Sequence, residues 1–408
     1  MWRSLVGLLG VLFATTLVGV TAGACSPAGR SSATATAEGG AGEDASAAGT
    51  DFVDGAAPTH EVLATLRGSV RAPNPQIPIA GALVYLAAEA PTPLTRGKHC
   101  DECVTLSADT PFAITEPDGS FELPSYELGV RTLIVQKGGF RRAREFDVVG
   151  GDNDVPRALT TLPSARNAAQ SDEVPAMAVV SGSYDKIEDS LVELGLTKAA
   201  LTMVSDADTF LRDAKRLDAF DIVFLPCGSE SDLSVDPTTI KNLRSFAEGG
   251  GRLYVTDWHY DFVHQPWAGY VGFEGQSTQP CSGCGGMYNA PAKVEDPGLE
   301  AWLAAQGVTT FQLEKNYTKI TSINARPGKD KAGNDVTITP KVWVNGLIGG
   351  KPQPSTVSFE QGCGRVLFST YHTESSGAGS LLPQERALLY VLLEVSVCTG
   401  SENGVIVK

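Results

Sequence analysis

The sequence predicts a multidomain protein in which an N-terminal antiparallel β-sandwich precedes an α/β domain with a parallel sheet. Residues 60–163 contain short runs of alternating apolar and polar residues, separated by turn sequences and without a long helical period. From residue 172 to 400, continuous apolar runs alternate with helical patterns, as expected for a parallel sheet covered by helices. The 408 residues are enough to build more than one core.

Composition narrows the class of protein. Hydrophobic residues make up 42% of the chain and charged residues 19%, which is typical of a globular protein. The formal net charge is −15, and the acidic residues are spread along the chain. An acidic surface repels phosphate backbones, so we expect no nucleic-acid partner.

The first 24 residues have the pattern of an export signal. Arg3 precedes an apolar stretch that is too short and too interrupted for a transmembrane helix, and small residues lead to Cys25. The segment resembles a bacterial lipoprotein signal, although Ala22 stands where Leu is usual. That resemblance implies that Cys25 is acylated and anchors the mature protein to a membrane. An ordinary secretory signal that happens to precede a cysteine is the alternative.

Residues 25–59 are rich in Ala, Gly, Ser and Thr, with almost no large apolar side chains. Such a composition predicts a disordered tether between the anchor and the folded part. Ser26 after the lipidated cysteine is compatible with the outer membrane of a Gram-negative bacterium. We therefore expect a lipid-anchored protein of the cell envelope.

The predicted β-sandwich, 60–163, is marked by two turns. A Pro-Asp-Gly turn between two strand-like runs predicts a hairpin, and a Gly-Gly turn predicts a second one. The order of the pieces resembles the carboxypeptidase regulatory-like, or prealbumin-like, domain. That resemblance implies a spacer or adhesion module without chemistry of its own, and it rests on four matching stretches: 68–70, 80–84, 115–121 and 137–140.

The second domain, 172–400, repeats strand and helix. Its pieces include "DIVFLPCG", "LRSFAEGGGRLYVTD" and "FSTYHTE", with an insertion near 275–340 that could cover the strand ends. In this order they resemble the class I glutamine amidotransferase-like superfamily. The resemblance implies a flavodoxin-like parallel sheet with its functional loops at the carboxyl ends of the strands.

The same resemblance shows where this chain departs from an active glutaminase. Active members carry a nucleophilic cysteine on a sharp turn after one strand and His-x-Glu after a later strand. Here His372 and Glu374 supply the second element, but Asp257 stands at the position of the nucleophile. Cys227 follows the preceding strand, where we expect a disulfide partner or a buried thiol. Glutaminase chemistry is therefore not expected.

A different chemistry is possible at this edge of the sheet. Carboxylates and imidazoles are the groups that acid/base hydrolases and zinc sites use, and the candidates are Asp257, His259, His372 and Glu374. A metal could instead be held by a Cys/His set drawn from Cys227, Cys281, Cys284 and His259. The plain alternative is that these side chains only pack and cap the sheet. We predict no cofactor, with zinc as the alternative.

Two disulfides are expected in an exported protein. Cys100 and Cys103 are close enough for a local bond, for which a metal site with His99 is the alternative. Cys363 precedes its strand and Cys398 follows the closing helix, so both are expected at the amino-end side of the sheet and predicted to pair.

These observations lead to one functional prediction with two alternatives. We expect an exported, lipid-anchored envelope protein whose amidotransferase-like domain binds an envelope ligand or partner protein without catalysis. One alternative is a metal-dependent or acid/base hydrolase acting on an envelope or extracellular substrate. The other is a structural component of a surface assembly.

Overall fold

The computed structural model describes residues 60–101, 104–107, 109–228, 235–274, 287–373, 381–393 and 399–401. The predicted export signal, Cys25 and the predicted tether lie outside these residues. So do Cys103, Cys281, Cys284, Glu374 and Cys398. Within the described part, no helix has the length and apolar character to span a bilayer.

The N-terminal part is built around two small sheets. Its strands are β1 (Ala64–Ser69), β2 (Leu83–Ala87), β3 (Val104–Leu106), β4 (Phe112–Ile114), β5 (Ser120–Ser125), β6 (Gly129–Lys137), β7 (Phe140–Val148) and β8 (Gly151–Asp154). One sheet has the order β5-β1-β8 and the other β4-β2-β6-β7. Leu66 and Leu123 of the first sheet share one buried core with Val84, Leu133 and Val135 of the second. All pairings in these two sheets are antiparallel except β1 with β8, which is parallel.

The two turns that predicted hairpins behave differently. β6 and β7 are paired across the Gly138-Gly139 turn, as expected. The Pro-Asp-Gly turn is formed, with Gly119 N donating to Glu116 O at 2.8 Å, but β4 and β5 belong to different sheets. The hairpin prediction is wrong at this turn, because the same local turn geometry can join two strands of one sheet or two stacked sheets.

The α/β part follows from residue 177, after the one-turn helix α1 (Arg157–Thr160). Its helices are α2 (Ile187–Glu193), α3 (Ala207–Arg212), α4 (Ala214–Leu217), α5 (Pro237–Glu248), α6 (Asp261–His264), α7 (Pro297–Ala304) and α8 (Pro383–Leu393). Its strands are β9 (Met177–Val180), β10 (Leu201–Val204), β11 (Ile222–Leu225), β12 (Arg252–Thr256), β13 (Val271–Phe273), β14 (Tyr288–Val294), β15 (Gln312–Asn316), β16 (Ile320–Ile323), β17 (Arg326–Lys329), β18 (Asp335–Ile338), β19 (Lys341–Ile348), β20 (Lys351–Gln361), β21 (Gly364–Ser369) and β22 (Thr399–Ser401). The last of these strands pairs in parallel with β3.

Nine strands form the central sheet, in the order β10-β9-β11-β12-β21-β20-β19-β14-β15. The first five are parallel. Counted in chain order they read 2-1-3-4-5, which is the order of flavodoxin-like sheets. The other four continue the sheet in antiparallel fashion. The predicted insertion therefore supplies strands to the sheet in addition to covering its edge, and the sheet is mixed rather than wholly parallel.

Both faces of the four inner parallel strands, β9, β11, β12 and β21, are largely buried, which explains their apolar sequences. The edge strand β10 exposes Thr202 and Met203. Met177 and Val179 of β9 face one core, which includes residues of α2, α7 and α8. Ala178 and Val180, on the opposite face, belong to a second core with residues of α3, α4, α5 and α6. Because helices cover both faces, the loops between strands and helices lie at the two ends of the strands.

An aspartate side chain caps the N-terminus of four helices, and Asp213 shows the effect. The sequence around it predicts one continuous helix. Instead, the Asp213 carboxylate accepts hydrogen bonds from the backbone N–H groups of Lys215 and Arg216, so it ends α3 and begins α4. Capping by this aspartate breaks the expected helix into two short ones.

The N-terminal sheets and the α/β part share one core. Leu66 of β1 and Leu388 of α8 belong to the same cluster of buried residues. Trp302 Nε1 on α7 donates to the Pro78 carbonyl oxygen at 2.9 Å. Residues Pro58–Lys408 form one compact unit by their contacts. The boundary expected between 163 and 172 stays a prediction, and apolar packing is continuous across it.

The disulfide in the described residues joins Cys100 to Cys363, with Cα atoms 5.1 Å apart. The pairings Cys100–Cys103 and Cys363–Cys398 are therefore wrong. Cys363 does lie at the amino end of β21, as expected, in the turn after β20. The loop that carries Cys100 docks at this same edge, where Lys98 Nζ contacts Asp218 Oδ2 at 2.7 Å. Docking of that loop brings together two cysteines that are far apart in sequence.

Candidate functional site

The candidate site lies at the carboxyl ends of four adjacent parallel strands. Asp185 lies in the loop after β9, Cys227 follows β11, Asp257 follows β12, and His372 follows β21. β10 and β11 flank β9 on opposite sides, so the chain order reverses at this point. Ligands of open α/β sheets bind at such a reversal.

Asp257 forms a sharp turn directly after β12. Its φ of 46° is in the left-handed region, although Thr256 before it is extended. Asp and Asn tolerate this conformation better than most residues. The fully buried carboxylate accepts hydrogen bonds from Tyr317 N at 3.1 Å and from Thr318 Oγ1 at 2.5 Å. The turn thus has the shape of a nucleophile elbow, with a carboxylate at its tip.

His372 pairs with this carboxylate. Its Nε2 lies 3.0 Å from Oδ2 of Asp257, and both side chains are buried. The His372 ring stacks on Tyr317, with centroids 5.5 Å apart, and its backbone carbonyl accepts a hydrogen bond from Gln384 Nε2 at 2.9 Å. Burial raises the pKa of Asp257, while the hydrogen bond and charge of His372 oppose that rise.

Cys227 joins the pair, which the sequence did not predict. Its Sγ, a carboxylate oxygen of Asp257 and a ring nitrogen of His372 all lie within 4.8 Å of one another. The reason is that β11 and β12 are neighbours in the sheet, so their following turns meet. Cys227 is a buried free thiol. Burial, with the nearby negative charge of Asp257, raises the pKa of this thiol, which favours its protonated form.

A second buried carboxylate holds the turns in place. Asp185 Oδ2 accepts a hydrogen bond from Thr256 Oγ1 at 2.6 Å, and that hydroxyl accepts one from Cys227 N at 2.8 Å. Asp185 Oδ1 accepts hydrogen bonds from the backbone N–H of Thr373, at 3.0 Å, and from its hydroxyl. One carboxylate thereby ties together the turns after β9, β11, β12 and β21. Burial raises its pKa as well.

A cavity of about 290 Å³ opens above these residues. Its lining residues are Tyr184, Cys227, Trp258, Lys315, Tyr317 and His372. Trp258 lies edge-on to Tyr184, at 5.7 Å between centroids, and to Tyr317, at 5.6 Å. The cavity therefore has aromatic walls, one lysine, and a polar floor made of the thiol and the imidazole.

The remaining candidates from the sequence are placed elsewhere. His259 is buried in the short 3₁₀ helix after the elbow, with its ring edge-on to Phe262 at 5.4 Å, and it does not line the cavity. It is also not among the described metal-ligating atoms that lie within reach of Asp257. The positions of Glu374, Cys281 and Cys284 lie outside the described residues, so their predicted roles stay predictions.

Sequence reasoning missed several residues of the site. Tyr317 and Thr318 follow β15, and Lys315 lies in it with a φ of 57°. Lys315 and Tyr317 reach the cavity, and Thr318 reaches Asp257, because β14 and β15 extend the central sheet, and no local pattern signals that. Asp185 does have a signal, because its Gly-Ser-Tyr-Asp loop follows the first strand of the parallel sheet.

A larger cavity of about 560 Å³ lies near the disulfide, beside Asp221 and Arg252. Its charged groups are largely occupied by one another: Arg252 contacts Asp101, and His99 Nδ1 lies 3.5 Å from Asp221 Oδ1. It lies at the amino ends of the strands, away from the functional edge of the sheet. The smaller cavity is therefore the stronger candidate site.

Comparison with known proteins gave structural similarity only. No family model matches the chain, and no curated protein matches it. A putative ThuA-like protein from Bacteroides uniformis is 10% identical, with a TM-score of 0.35, over 53% of this chain and 89% of that one. A putative GMP synthase protein from Thermoplasma acidophilum is 10% identical, with a TM-score of 0.34, over 54% and 94%. A GH42 β-galactosidase from G. stearothermophilus is 13% identical, with a TM-score of 0.31, over 55% of this chain but 30% of the enzyme. At these identities and TM-scores, the likeness carries no inference about activity.

Proposed function

We propose that this protein is an exported, lipid-anchored protein of the cell envelope whose α/β part binds a small ligand without hydrolysing glutamine. The observation that carries the proposal is the elbow: the buried carboxylate of Asp257 stands at its tip, below a cavity with aromatic walls. An aspartate cannot perform the thiol attack of a glutaminase. The neighbouring Cys227 thiol follows β11 and does not stand at the tip of the elbow, and burial raises its pKa.

The cavity indicates the size and character of the ligand. Its volume of about 290 Å³ is at the small end of binding pockets, which start at about 300 Å³. The rings of Tyr184, Trp258 and Tyr317 offer apolar contact, and Lys315 adds a cation to the wall. A ligand of about the size of a monosaccharide or an amino acid, with one apolar face and one anionic or carbonyl group, fits this chemistry.

The finer assignments belong to the same proposal. The 2-1-3-4-5 strand order and the position of the elbow support an amidotransferase-like α/β domain. The two N-terminal sheets and their common core support a carboxypeptidase regulatory-like β-sandwich. Cys25 after the small-residue site supports a lipid anchor.

The hydrolase alternative is favoured by one observation, the 3.0 Å contact between His372 and Asp257. An imidazole held by a carboxylate is the arrangement of a general base. In that alternative, His372 would take a proton from water in the cavity and Asp257 would orient the ring.

Ligand binding and glutaminase activity can be tested on the same preparation. Thermal unfolding is measured with a panel of monosaccharides and amino acids that includes glutamine, and ammonia release from glutamine is assayed in parallel. We expect a panel member to raise the melting temperature of the parent and not of Trp258→Ala, with Trp343→Phe on β19 as the control outside the cavity. Glutamine should release no ammonia.

Two results would contradict this proposal. Ammonia release that is lost in His372→Ala would show glutaminase activity. A panel without any binder, combined with recovery of the protein in a stable complex, would favour the structural-component alternative. The anchor is tested separately: Cys25→Ser should release the protein from membranes or block its processing, and unchanged membrane association would exclude the lipid anchor.

A further inference from the structure

We infer that Cys227, Asp257 and His372 form a three-ligand site for a zinc ion, with the fourth position open to the cavity. This goes beyond the proposed function, because the site requires no organic ligand. Its ligands also differ from the set of metal candidates that the sequence indicated. Zinc accepts sulfur, nitrogen and oxygen ligands together.

The geometry fits such an ion. The three ligand atoms lie within 4.8 Å of one another, and the imidazole and carboxylate atoms are 3.0 Å apart. Zinc–ligand bonds of about 2.0–2.3 Å place the ligand atoms of a tetrahedral site about 3.3–3.7 Å from one another. Rotations of the three side chains would bring the ligand atoms from their separations in the structure to those of a tetrahedral zinc site.

Neighbouring residues also orient the three ligands through hydrogen bonds and packing, as is usual around metal sites. Thr318 and Tyr317 fix the Asp257 carboxylate through two hydrogen bonds. Thr256 holds the Cys227 backbone N–H, and the ring of His372 rests on Tyr317. The side chains would therefore lose little freedom on binding an ion.

Charge and access favour a divalent cation. A thiolate from Cys227 and the carboxylate of Asp257 together carry two negative charges, which a zinc ion neutralises; the thiol proton leaves to solvent on binding. All three side chains are buried, yet Cys227 and His372 line the cavity. Three protein ligands with an open fourth position are typical of catalytic rather than structural zinc sites. Zinc bound at these three residues would thus favour the hydrolase alternative.

The test uses Co²⁺ as a spectroscopic probe for zinc, with the full chain freed of metal by a chelator. We expect one Co²⁺ per chain, displaced by Zn²⁺, with a sulfur-to-metal charge-transfer band and the visible bands of a four-coordinate ion. Cys227→Ser should lose the charge-transfer band. Asp257→Asn and His372→Ala should weaken Co²⁺ binding at least about tenfold.

The controls separate this site from other cysteines and histidines. The double variant Cys281→Ser/Cys284→Ser removes the two cysteines that the sequence indicated as alternative metal ligands, and His60→Ala removes a surface imidazole that lies 3.6 Å from Asp109. Both should bind Co²⁺ as the parent does. Denaturant unfolding of the metal-free proteins shows which variants are folded. If Cys227→Ser is not folded, the loss of Co²⁺ affinity in Asp257→Asn still tests the site.

Three outcomes would overturn the inference. These are no stoichiometric Co²⁺ binding by the parent, a charge-transfer band that survives in Cys227→Ser, and a band that disappears in the Cys281/Cys284 variant. Because the probe is the metal alone, none of these outcomes depends on whether the cavity also binds a small organic ligand.

Discussion

The imidazole of His372 contacts the carboxylate of Asp257 at 3.0 Å, although the two residues follow different strands of the sheet. The contact exists because β12 and β21 are adjacent parallel strands whose turns leave the same edge. It joins the residue at the tip of the turn after β12 to the first residue of the site after β21.

The elbow at Asp257 should tolerate asparagine and not alanine. Asparagine keeps one side-chain oxygen, which can accept from Thr318 Oγ1 or from Tyr317 N but not from both, because these donors contact different carboxylate oxygens of Asp257. It also tolerates a left-handed φ. Alanine loses both properties, so we expect a loss of about 2–4 kcal/mol in the free energy of unfolding. Denaturant unfolding measures it. Asp257→Gly removes the backbone strain and separates the two contributions, and equal stability of the alanine and asparagine variants would contradict this account.

Gly250 should be intolerant of any side chain. It has a φ of 105°, and an added Cβ would lie 1.8 Å from the His99 carbonyl oxygen. Gly307 is the matched control, since its φ is 77° and an added Cβ would meet nothing within 4 Å. We expect Gly307→Ala to cost about 1–2 kcal/mol and Gly250→Ala about 1–3 kcal/mol more, by denaturant unfolding. Equal costs would show that the His99 loop does not pack there.

The disulfide Cys100–Cys363 should appear in peptide maps made under non-reducing conditions. It closes a long loop, so its removal in Cys100→Ser/Cys363→Ser should lower the free energy of unfolding by about 2–5 kcal/mol. The parent protein with its disulfide reduced is the control, because it loses the same bond without a substitution. A linked Cys363–Cys398 or Cys100–Cys103 peptide from the folded protein would contradict the pairing.

Glu385 should make stability depend on pH. Its fully buried carboxyl accepts hydrogen bonds from Leu382 N and Ser190 Oγ, and burial raises its pKa from 4.5 to about 7. Between these two values the folded state holds a proton that the unfolded state has released, so the free energy of unfolding falls as the pH rises. The fall is at most about 3 kcal/mol.

The variant Glu385→Gln isolates this effect. Glutamine stays neutral, so the difference in stability between variant and parent should grow in favour of the variant as the pH rises from 4.5 to about 7, and then level off. Denaturant unfolding across this range measures it. Parallel stability curves for the two proteins would show that Glu385 does not titrate in this way.

Parts of the site follow directly from local sequence patterns. The apolar run Val366–Phe368 predicts a buried strand that delivers His372, and the glycines after α5 predict the strand that ends at Asp257. Both positions follow from a short apolar run with a clear end. That the two turns meet follows from two conditions: the strands are parallel, so their carboxyl ends lie on one side, and β12 and β21 are neighbours in the sheet.

Other parts could not be predicted, because they depend on contacts distant in sequence. Tyr317 reaches the site through the antiparallel extension of the sheet, and Cys100 reaches Cys363 because its loop docks on the sheet edge. The pairing Cys100–Cys103 was expected because two nearby cysteines are the simplest partners. Docking of the loop pairs Cys100 with Cys363 instead, and no periodic pattern in the sequence signals this docking.

The continuous core beneath the two parts of the chain has an evolutionary consequence. Trp302 donates its ring N–H to the Pro78 carbonyl, and Leu66 and Leu388 belong to the same buried cluster. A recombination event that replaced the N-terminal sheets with an unrelated module would leave this apolar surface of the α/β part uncovered. We therefore expect a substitution at the junction to constrain which residues the other half can accept.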